Sequence, residues 1–270
     1  MAVRVVLVGC GNMGYAMLAG WLKSGKLAPS ETLVIEPNQE LRDRAGRLGS
    51  VVASSIDDAA GDLSPEIVVI AVKPQVIREV TAGYRKFAGS ATFVSVAAGT
   101  GIAAFTEILG AGAAVMRCMP NTPAAIGKGM MVVVSNANVK EPAKAFVGDL
   151  LSTSGKVATI DDESLMDAVT AVSGSGPAYI FHFIECLTDA AVAAGLPADT
   201  ARLLAMQTVY GAASLAAESG EDPAVLRRQV TSPNGTTAAA LEVLMGQDRL
   251  KTLVTEAVGA AKARSVELGK

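Results

Sequence analysis

Apolar and polar positions follow different patterns in the two halves of the chain. In the first half, short continuous apolar runs alternate with segments that carry an apolar residue at every third or fourth position. Such runs are typical of strands buried in a parallel sheet, and the second spacing is typical of amphipathic helices. The runs predict strands at 3–8, 32–36, 67–72, 92–96, 114–118, 130–135 and 156–160. The other segments predict helices at 13–24, 38–48, 75–86, 102–109 and 142–152.

This alternation predicts an α/β fold, a Rossmann-like doubly wound sheet with helices on both faces. Strand patterns stop after residue 160. From there on the chain predicts helices at 162–173, 177–194, 198–218, 223–230, 235–246 and 248–268. We therefore expect a dinucleotide-binding Rossmann domain at 1–160 and an all-helical domain at 161–270 for substrate binding and dimerisation. The short connection favours a ligand cleft between them.

A glycine-rich turn follows the first predicted strand without a gap. It reads Gly9-Cys10-Gly11-Asn12-Met13-Gly14, which is the pattern G-x-G-x-x-G. The first glycine permits the tight turn, the second lets the backbone approach a pyrophosphate, and the third lets the helix pack closely on the strand. The N-terminus of that helix offers free N–H groups to phosphates. Because a strand precedes this turn and a helix follows it, the pattern predicts dinucleotide binding rather than an ordinary turn.

The end of the second predicted strand bears on the choice of nicotinamide. Glu36 lies there, 22 residues after Gly14. An acidic side chain in this place accepts hydrogen bonds from the adenosine ribose and repels a 2′-phosphate. Arg42 and Arg44 lie just beyond and could reach such a phosphate, and Glu36 could instead be a solvated strand end. We expect NADH to be accepted at least as well as NADPH.

Composition excludes several classes of protein. The 270 residues are 50% hydrophobic and 18% charged, with a net charge of −3 and no cluster of Lys or Arg. We therefore expect no nucleic-acid partner. We see no membrane-spanning segment or signal peptide, and we expect a cytoplasmic protein. The three cysteines have no C-x-x-C spacing, so we expect no metal site and no disulfide.

The second half lacks a strong general base. Its single histidine, His182, has apolar neighbours, and no lysine occurs between Lys156 and Lys251. Enzymes that oxidise an alcohol need a base near the carbinol. Reduction of a pre-formed C=N bond fits this composition better, because an iminium is already electrophilic and hydride addition requires positioning.

Two segments of the second half are suited to hold a small carboxylate. They are Ser173-Gly174-Ser175-Gly176-Pro177 and Ser232-Pro233-Asn234-Gly235-Thr236-Thr237, and each opens a predicted helix. Small residues leave backbone N–H groups free, and the hydroxyls add donors. The alternative for each segment is ordinary N-capping.

The helices of the second half are rich in alanine and little interrupted by charge. They need more burial than one layer of six helices supplies, which predicts a homodimer. The alternative is a compact monomeric bundle.

The chain resembles pyrroline-5-carboxylate reductase over essentially its whole length. The resemblance rests on the glycine-rich turn and on segments 71–74, 95–99, 117–123, 167–179 and 232–237, of which the last is the most specific. It implies hydride transfer from NADPH or NADH to the C=N bond of L-Δ1-pyrroline-5-carboxylate, which gives L-proline in the final step of proline biosynthesis. It also implies dimers, with many dimers joined into decamers.

The resemblance assigns roles to individual residues. Cofactor binding is implied for Val8, Gly9, Cys10, Gly11, Asn12, Met13, Gly14, Glu36, Ala71, Val72, Lys73, Pro74, Ala97, Ala98, Gly99 and Asn121. Substrate binding is implied or predicted for Glu163, Ser173, Ser175, Ser232, Gly235, Thr236 and Thr237. Thr237 is also the implied catalytic residue, with its hydroxyl facing the ring nitrogen.

Two positions depart from the family pattern. Asn234 stands where glycine is frequent, which asparagine tolerates because it accepts left-handed geometry. Glu36 stands where many relatives carry a small polar residue. Two other functions stay open: a related two-domain β-hydroxyacid-type dehydrogenase, and a nucleotide-binding sensor without turnover.

Overall fold

We describe a computed structural model of the chain over residues 3–59 and 62–269. The strands are β1 Val5–Val8, β2 Thr32–Ile35, β3 Val51–Ala53, β4 Ile67–Ile70, β5 Thr92–Ser95, β6 Ala114–Met119, β7 Gly129–Ser135 and β8 Gly155–Thr159. The α-helices are α1 Asn12–Lys23, α2 Gln39–Gly46, α3 Ile77–Ala82, α4 Ile102–Leu109, α5 Glu141–Ser152, α6 Met166–Val169, α7 Gly176–Ala193, α8 Ala198–Ser219, α9 Pro223–Gln229, α10 Thr236–Met245 and α11 Arg249–Leu268.

All eight strands form one sheet in the order β3-β2-β1-β4-β5-β6-β7-β8. The first six follow the Rossmann order and are parallel, with Val5 of β1 in register with Thr32 of β2 and Ile67 of β4. Parallel pairing is interrupted near one edge, where β7 runs antiparallel to β6 and β8 pairs in parallel with β7. All seven predicted strands are confirmed. β3 was not predicted, because its three residues are partly exposed and too few to form an apolar run.

The sheet separates two apolar cores, as the doubly wound prediction requires. Alternate residues of β1 point to opposite faces. Val5 and Leu7 join the core around Trp21, and Val6 and Val8 join the core around Phe93. Because both faces of the central strands are covered, every residue of β1 is buried.

Contacts divide the chain into two compact units. The first contains the residues up to Ser175 together with those from Ala261 onward, and the second is Gly176–Ala260. This division differs from the expected boundary at residue 160. The reason is that residues 161–175 bond back to the sheet-containing unit, through Glu163 to Arg117 and through Asp167 to Ser265.

The segment before α7 is more irregular than the single helix expected at 162–173. It consists of a 3₁₀ turn at Glu163–Leu165, then α6, then a π-helical turn at Thr170–Gly174. Asp162 caps the 3₁₀ turn by accepting a hydrogen bond from the Ser164 N–H at 2.8 Å.

Helices are the only regular secondary structure among the described residues of the second unit, Gly176–Ala260. Helices α7 and α10 contain no buried residue, and α8 buries only Ala201 and Ala205. Large apolar side chains are exposed instead, among them Phe181 at 58% and Leu203 at 68%. Within residues 3–59 and 62–269, no helix is both long enough and apolar enough to cross a lipid bilayer.

Candidate functional site

A cleft of about 460 Å³ lies in the first unit, where parallel strands end. It spans the point at which the chain leaves β1 for β2 on one side and returns to β4 on the other. Ligands of doubly wound sheets bind in this crevice. Seven predicted cofactor residues line it: Val8, Gly9, Gly11, Glu36, Ala71, Val72 and Lys73. A second cavity, of about 360 Å³, includes Ile67 and Thr92, at the start of β4 and β5, and contains none of the predicted residues.

The cleft also contains residues that the sequence did not predict. Ser54, Ser55 and Ile56 follow the unpredicted strand β3, and Tyr84 follows α3. Locating β3 would have found the first three. Tyr84 is buried, which raises the pKa of its phenol well above the usual value.

The three glycines of the turn meet different constraints. Gly9 has a φ of +88°, and a Cβ there would lie 2.7 Å from the Ala71 carbonyl oxygen. At Gly14 a Cβ would overlap the carbonyl oxygen of Gly9. Gly11 has an ordinary φ of −62°, and no heavy atom lies within 4 Å of the place of its Cβ. The fold itself therefore requires glycine at the first and third positions and leaves the second open.

Glu36 holds the backbone of the glycine-rich turn. Its carboxylate accepts hydrogen bonds from the N–H of Cys10 at 2.7 Å and from the N–H of Asn38 at 2.9 Å. Glu36 is only 7% exposed, so the alternative of a solvated strand end is wrong. A carboxylate has about four lone-pair sites, so the group keeps acceptor capacity toward a ribose hydroxyl.

Both arginines beyond Glu36 bind backbone carbonyls. Arg42 donates to the carbonyl oxygens of Glu36 at 2.7 Å and Pro37 at 2.9 Å. Arg44 donates to those of Cys10 at 2.9 Å and Gly11 at 3.2 Å. Neither arginine is among the described residues that line the cleft.

The remaining residues of the turn contribute backbone rather than side chain. The Cys10 thiol is fully buried, and burial raises its pKa to about 11 despite the positive charge of Arg44 nearby. The side chain of Met13 packs against the core that contains Trp21. Asn12 begins α1, so its N–H has no intrahelical acceptor.

Lys73 is exposed at the mouth of the cleft, and Pro74 begins a 3₁₀ turn beside it. Within the described parts of the chain, Lys73 forms no ion pair with a carboxylate. Its ammonium group is therefore available to an anionic ligand.

The loop after β5 contacts the end of the chain rather than the cleft. The Ala97 N–H donates to the Ser95 hydroxyl at 3.3 Å. Gly99 has a φ of +77°, and a Cβ there would lie 3.3 Å from the Leu268 carbonyl oxygen. Ala97, Ala98 and Gly99 therefore share one loop but are not among the described lining residues of the cleft.

Asn121 contacts a second predicted site residue, Ser173. Its side-chain amide donates to the carbonyl oxygen of Ser173 at 3.2 Å and to its hydroxyl at 3.4 Å. Its Oδ1 accepts from the Met130 N–H at 2.8 Å. Asn121 therefore joins the end of β6, the start of β7 and the π-helical turn.

Glu163 has structural partners. Its Oε1 accepts from the N–H of Ile102, the first residue of α4, at 2.8 Å and from Arg117 Nη1 at 2.7 Å. The carboxylate thus caps α4 and pairs with a side chain of β6. This leaves its implied contact with substrate as a prediction.

The segment Ser173–Gly176 is not the open turn that we expected. The Ser175 N–H donates to the Thr170 carbonyl oxygen at 2.8 Å, five residues back, so α6 continues as a π-helical turn as far as Gly174. Gly174 is packed so closely on Met119 that a Cβ would overlap its terminal methyl group. The Ser175 amide is therefore not free to bind a carboxylate, and substrate binding by the rest of this segment, including the two serine side chains, stays a prediction.

The second expected turn forms as predicted, in the second unit. Asn234 has a φ of 58°, the left-handed conformation for which asparagine is suited. The Gly235 N–H donates to the Ser232 carbonyl oxygen at 3.1 Å, and a Cβ on Gly235 would overlap the Ser232 hydroxyl. Helix α10 then begins at Thr236, which presents the first N–H groups of the helix, including that of Thr237.

Among the described residues, the single histidine does not line the cleft. His182 is exposed on α7 and hydrogen-bonds Glu185 at 3.0 Å. In the residues that the structure describes, no group of three His, Cys, Asp or Glu side chains could hold a metal ion.

The sheet order, the position of the cleft and the glycine-rich turn define a dinucleotide-binding protein of the Rossmann type. Comparison with known proteins narrows this class. Residues 163–268 match the family described as pyrroline-5-carboxylate reductase dimerisation. Residues 4–99 match the family described as NADP oxidoreductase, coenzyme F420-dependent.

The chain belongs to the pyrroline-5-carboxylate reductase family. It is 40% identical over 269 residues to the pyrroline-5-carboxylate reductase of Pseudomonas aeruginosa, covering 99% of this chain and 97% of that protein. The solved structure of a Coxiella burnetii pyrroline-5-carboxylate reductase is 31% identical, with a TM-score of 0.92 over 100% of both chains. A Plasmodium falciparum pyrroline carboxylate reductase, solved with NADP bound, is 30% identical, with a TM-score of 0.85 over 99% of this chain and 98% of that one.

Proposed function

We propose that this chain reduces L-Δ1-pyrroline-5-carboxylate to L-proline with NADH or NADPH, the final step of proline biosynthesis. One observation carries the proposal. This chain is 40% identical to a pyrroline-5-carboxylate reductase over almost its full length, and it has a nucleotide cleft lined by Gly9, Gly11, Glu36 and Lys73. The same relatives favour this reaction over a β-hydroxyacid-type dehydrogenase.

The residues of the cleft fit a dinucleotide. The open space beside Gly11 is a cradle that a Cβ would partly fill, and the amides at the start of α1 suit a pyrophosphate. Lys73 adds a positive charge, and Glu36 an acceptor for ribose hydroxyls. The nicotinamide supplies the hydride when it is bound.

Residues of the second unit would bind and orient the substrate. The N–H groups at the start of α10, with the hydroxyls of Ser232 and Thr236, bind the pyrroline carboxylate. The Thr237 hydroxyl hydrogen-bonds the ring nitrogen and orients the C=N bond. A threonine is a poor acid, so the imine nitrogen either takes its proton from water before binding or receives it through this hydroxyl as a relay. The rate acceleration then comes from holding the already electrophilic imine carbon in a reactive position for hydride transfer.

We also propose that NADH is accepted at least as well as NADPH. The Glu36 carboxylate is fixed at the end of β2 by two backbone N–H groups, where it repels a 2′-phosphate. The guanidinium groups of Arg42 and Arg44 already bind carbonyl oxygens. A kcat/KM for NADPH more than about tenfold above that for NADH would refute this preference.

The helical unit supports a homodimer as the basic assembly. Many of its large apolar side chains are exposed, Phe181, Leu203 and Tyr210 among them, and exposed apolar surface of this kind marks interaction sites. We expect light scattering to give the mass of a dimer, or of a decamer of five dimers, for a protein that acts in the cytoplasm. A monomeric mass would contradict this assembly.

The test is a steady-state assay with pyrroline-5-carboxylate and each reduced nicotinamide, followed at 340 nm. We expect loss of absorbance with both nucleotides and proline as the product. Hydroxy acids with NAD⁺ form the comparison, and their oxidation in place of imine reduction would favour the dehydrogenase. Tight NADH binding without reduction of the imine would favour a sensor.

A further inference from the structure

We propose that Arg44 is a positioning residue, which holds the glycine-rich turn in the conformation that binds the dinucleotide pyrophosphate. The inference rests on the proposed use of NADH or NADPH. It concerns the side of the turn on which its carbonyl groups lie. On that side Arg44 Nη2 donates to the carbonyl oxygens of Cys10 at 2.9 Å and of Gly11 at 3.2 Å.

These two hydrogen bonds fix the direction of two amide groups. In a trans peptide unit, the C=O of one residue and the N–H of the next point in opposite directions. Because the carbonyl groups of Cys10 and Gly11 face Arg44, the N–H groups of Gly11 and Asn12 face away from it. They are the amides that precede and begin α1, where a pyrophosphate binds in this fold.

The turn is held from both sides. The Glu36 carboxylate accepts the Cys10 N–H at 2.7 Å, and the Tyr15 N–H also donates to the Gly11 carbonyl oxygen at 2.9 Å. A turn with glycine at positions 9, 11 and 14 is intrinsically free to rotate its peptide planes. Arg44 therefore adds a second donor at the Gly11 carbonyl and a donor at the Cys10 carbonyl, which restricts both peptide planes further.

Arg44 itself is held in place by two elements. It projects from α2, and its guanidinium lies over the ring of Tyr15 on α1, 4.1 Å from the ring centre. Cation–π contacts of this kind add to the hold on a half-buried cation. Since Arg44 is not among the described lining residues of the cleft, its charge lies behind the turn rather than beside the adenosine.

The experiment measures nucleotide binding by calorimetry, with NADH and NADPH titrated separately into the full-length protein. Arg44→Met keeps the length of the side chain and removes both hydrogen bonds. Because hydrogen bonds to a charged group are strong, we expect the Kd for each nucleotide to rise about tenfold or more, and by the same factor for both. The KM for nucleotide should rise likewise, with kcat at saturation near that of the wild type.

Two further variants separate positioning from charge and from folding. Arg47→Met removes the same charge from an exposed residue at the end of α2, and we expect wild-type binding. Arg44→Lys keeps the charge but offers no fork of donors, and we expect a smaller rise in Kd, again equal for both nucleotides. Should Arg44→Met fail to fold, the lysine variant provides the same comparison.

Three results would overturn the inference. Selective loss of NADPH binding would make Arg44 a ligand of the 2′-phosphate. Unchanged Kd values with a lowered Tm would make it only a packing residue. A wild-type protein that binds neither nucleotide would remove both the inference and the proposed function. Binding without reduction of pyrroline-5-carboxylate would contradict the proposed reaction alone, and the Arg44 comparison would still be read from the Kd values.

Discussion

Replacing Gly11 by alanine should weaken nucleotide binding while leaving the fold intact. Gly11 has a φ of −62°, which alanine adopts, and a Cβ there meets no heavy atom within 4 Å. Alanine in such a place stabilises by about 0.4–1 kcal/mol, because it restricts the unfolded chain. For a protein of this size we expect Tm to stay the same or rise by a few degrees, about 2–4 °C per kcal/mol.

The substitution lowers the affinity for the nucleotide. A methyl group beside the turn keeps a phosphate from the Gly11 amide. A hydrogen bond to a charged group is worth about 1.5–3 kcal/mol, so its loss raises the Kd for NADH by about 10- to 150-fold. Calorimetric titration with NADH and a thermal melt of the same sample give both quantities.

Gly14→Ala is the matched control, because a Cβ there overlaps the Gly9 carbonyl oxygen. Forcing α1 away from β1 costs about 1–3 kcal/mol, so this variant should lose Tm as well as affinity. The reasoning is refuted if Gly11→Ala binds NADH like the wild type, or if its Tm falls as far as that of Gly14→Ala.

Three other changes test the remaining assignments. Thr237→Ala should lower kcat/KM for pyrroline-5-carboxylate by about 10²-fold or more, near 2.7 kcal/mol, and an unchanged value would remove Thr237 from the mechanism. Glu36→Gln removes a negative charge from the cleft, so the ratio of kcat/KM for NADPH to that for NADH should rise about tenfold, and a constant ratio would show that this carboxylate does not select the nucleotide. The pKa values of Cys10 and Cys118 are raised by burial, to about 11 and about 12, so iodoacetamide at pH 8 should label neither thiol until the protein is unfolded, as mass spectrometry of the peptides would show.

Local patterns predicted the strands and the glycine-rich turn, because the residues that specify them are neighbours in sequence. The direction of β7 was missed, although its signal was present. Parallel strands need a crossover of a dozen or more residues, and only residues 120–128 connect β6 to β7. The length of that connection therefore indicates an antiparallel pair.

The long-range contacts of the candidate site could not be predicted from the sequence. Asn121 meets Ser173 at a separation of 52 residues, and Glu163 meets the Ile102 N–H at a separation of 61. No local pattern encodes such pairs. The π-helical turn was missed for another reason: the sequence shows which small residues are present but not that the Ser175 N–H finds its acceptor five residues back.

The return of the last helix to the first unit has a consequence for biosynthesis. Ser265 donates to Asp167 at 2.6 Å, and Leu268 lies against Gly99, so residues translated after the helical unit complete the unit that was begun first. Domains generally fold as units during synthesis, from the N-terminus onward. Here the segment from Ala261 onward can join the sheet-containing unit only after Gly176–Ala260 has been translated. A polypeptide released before residue 261 would contain all eight described strands but would lack the contacts that Ser265 and Leu268 make with the first unit.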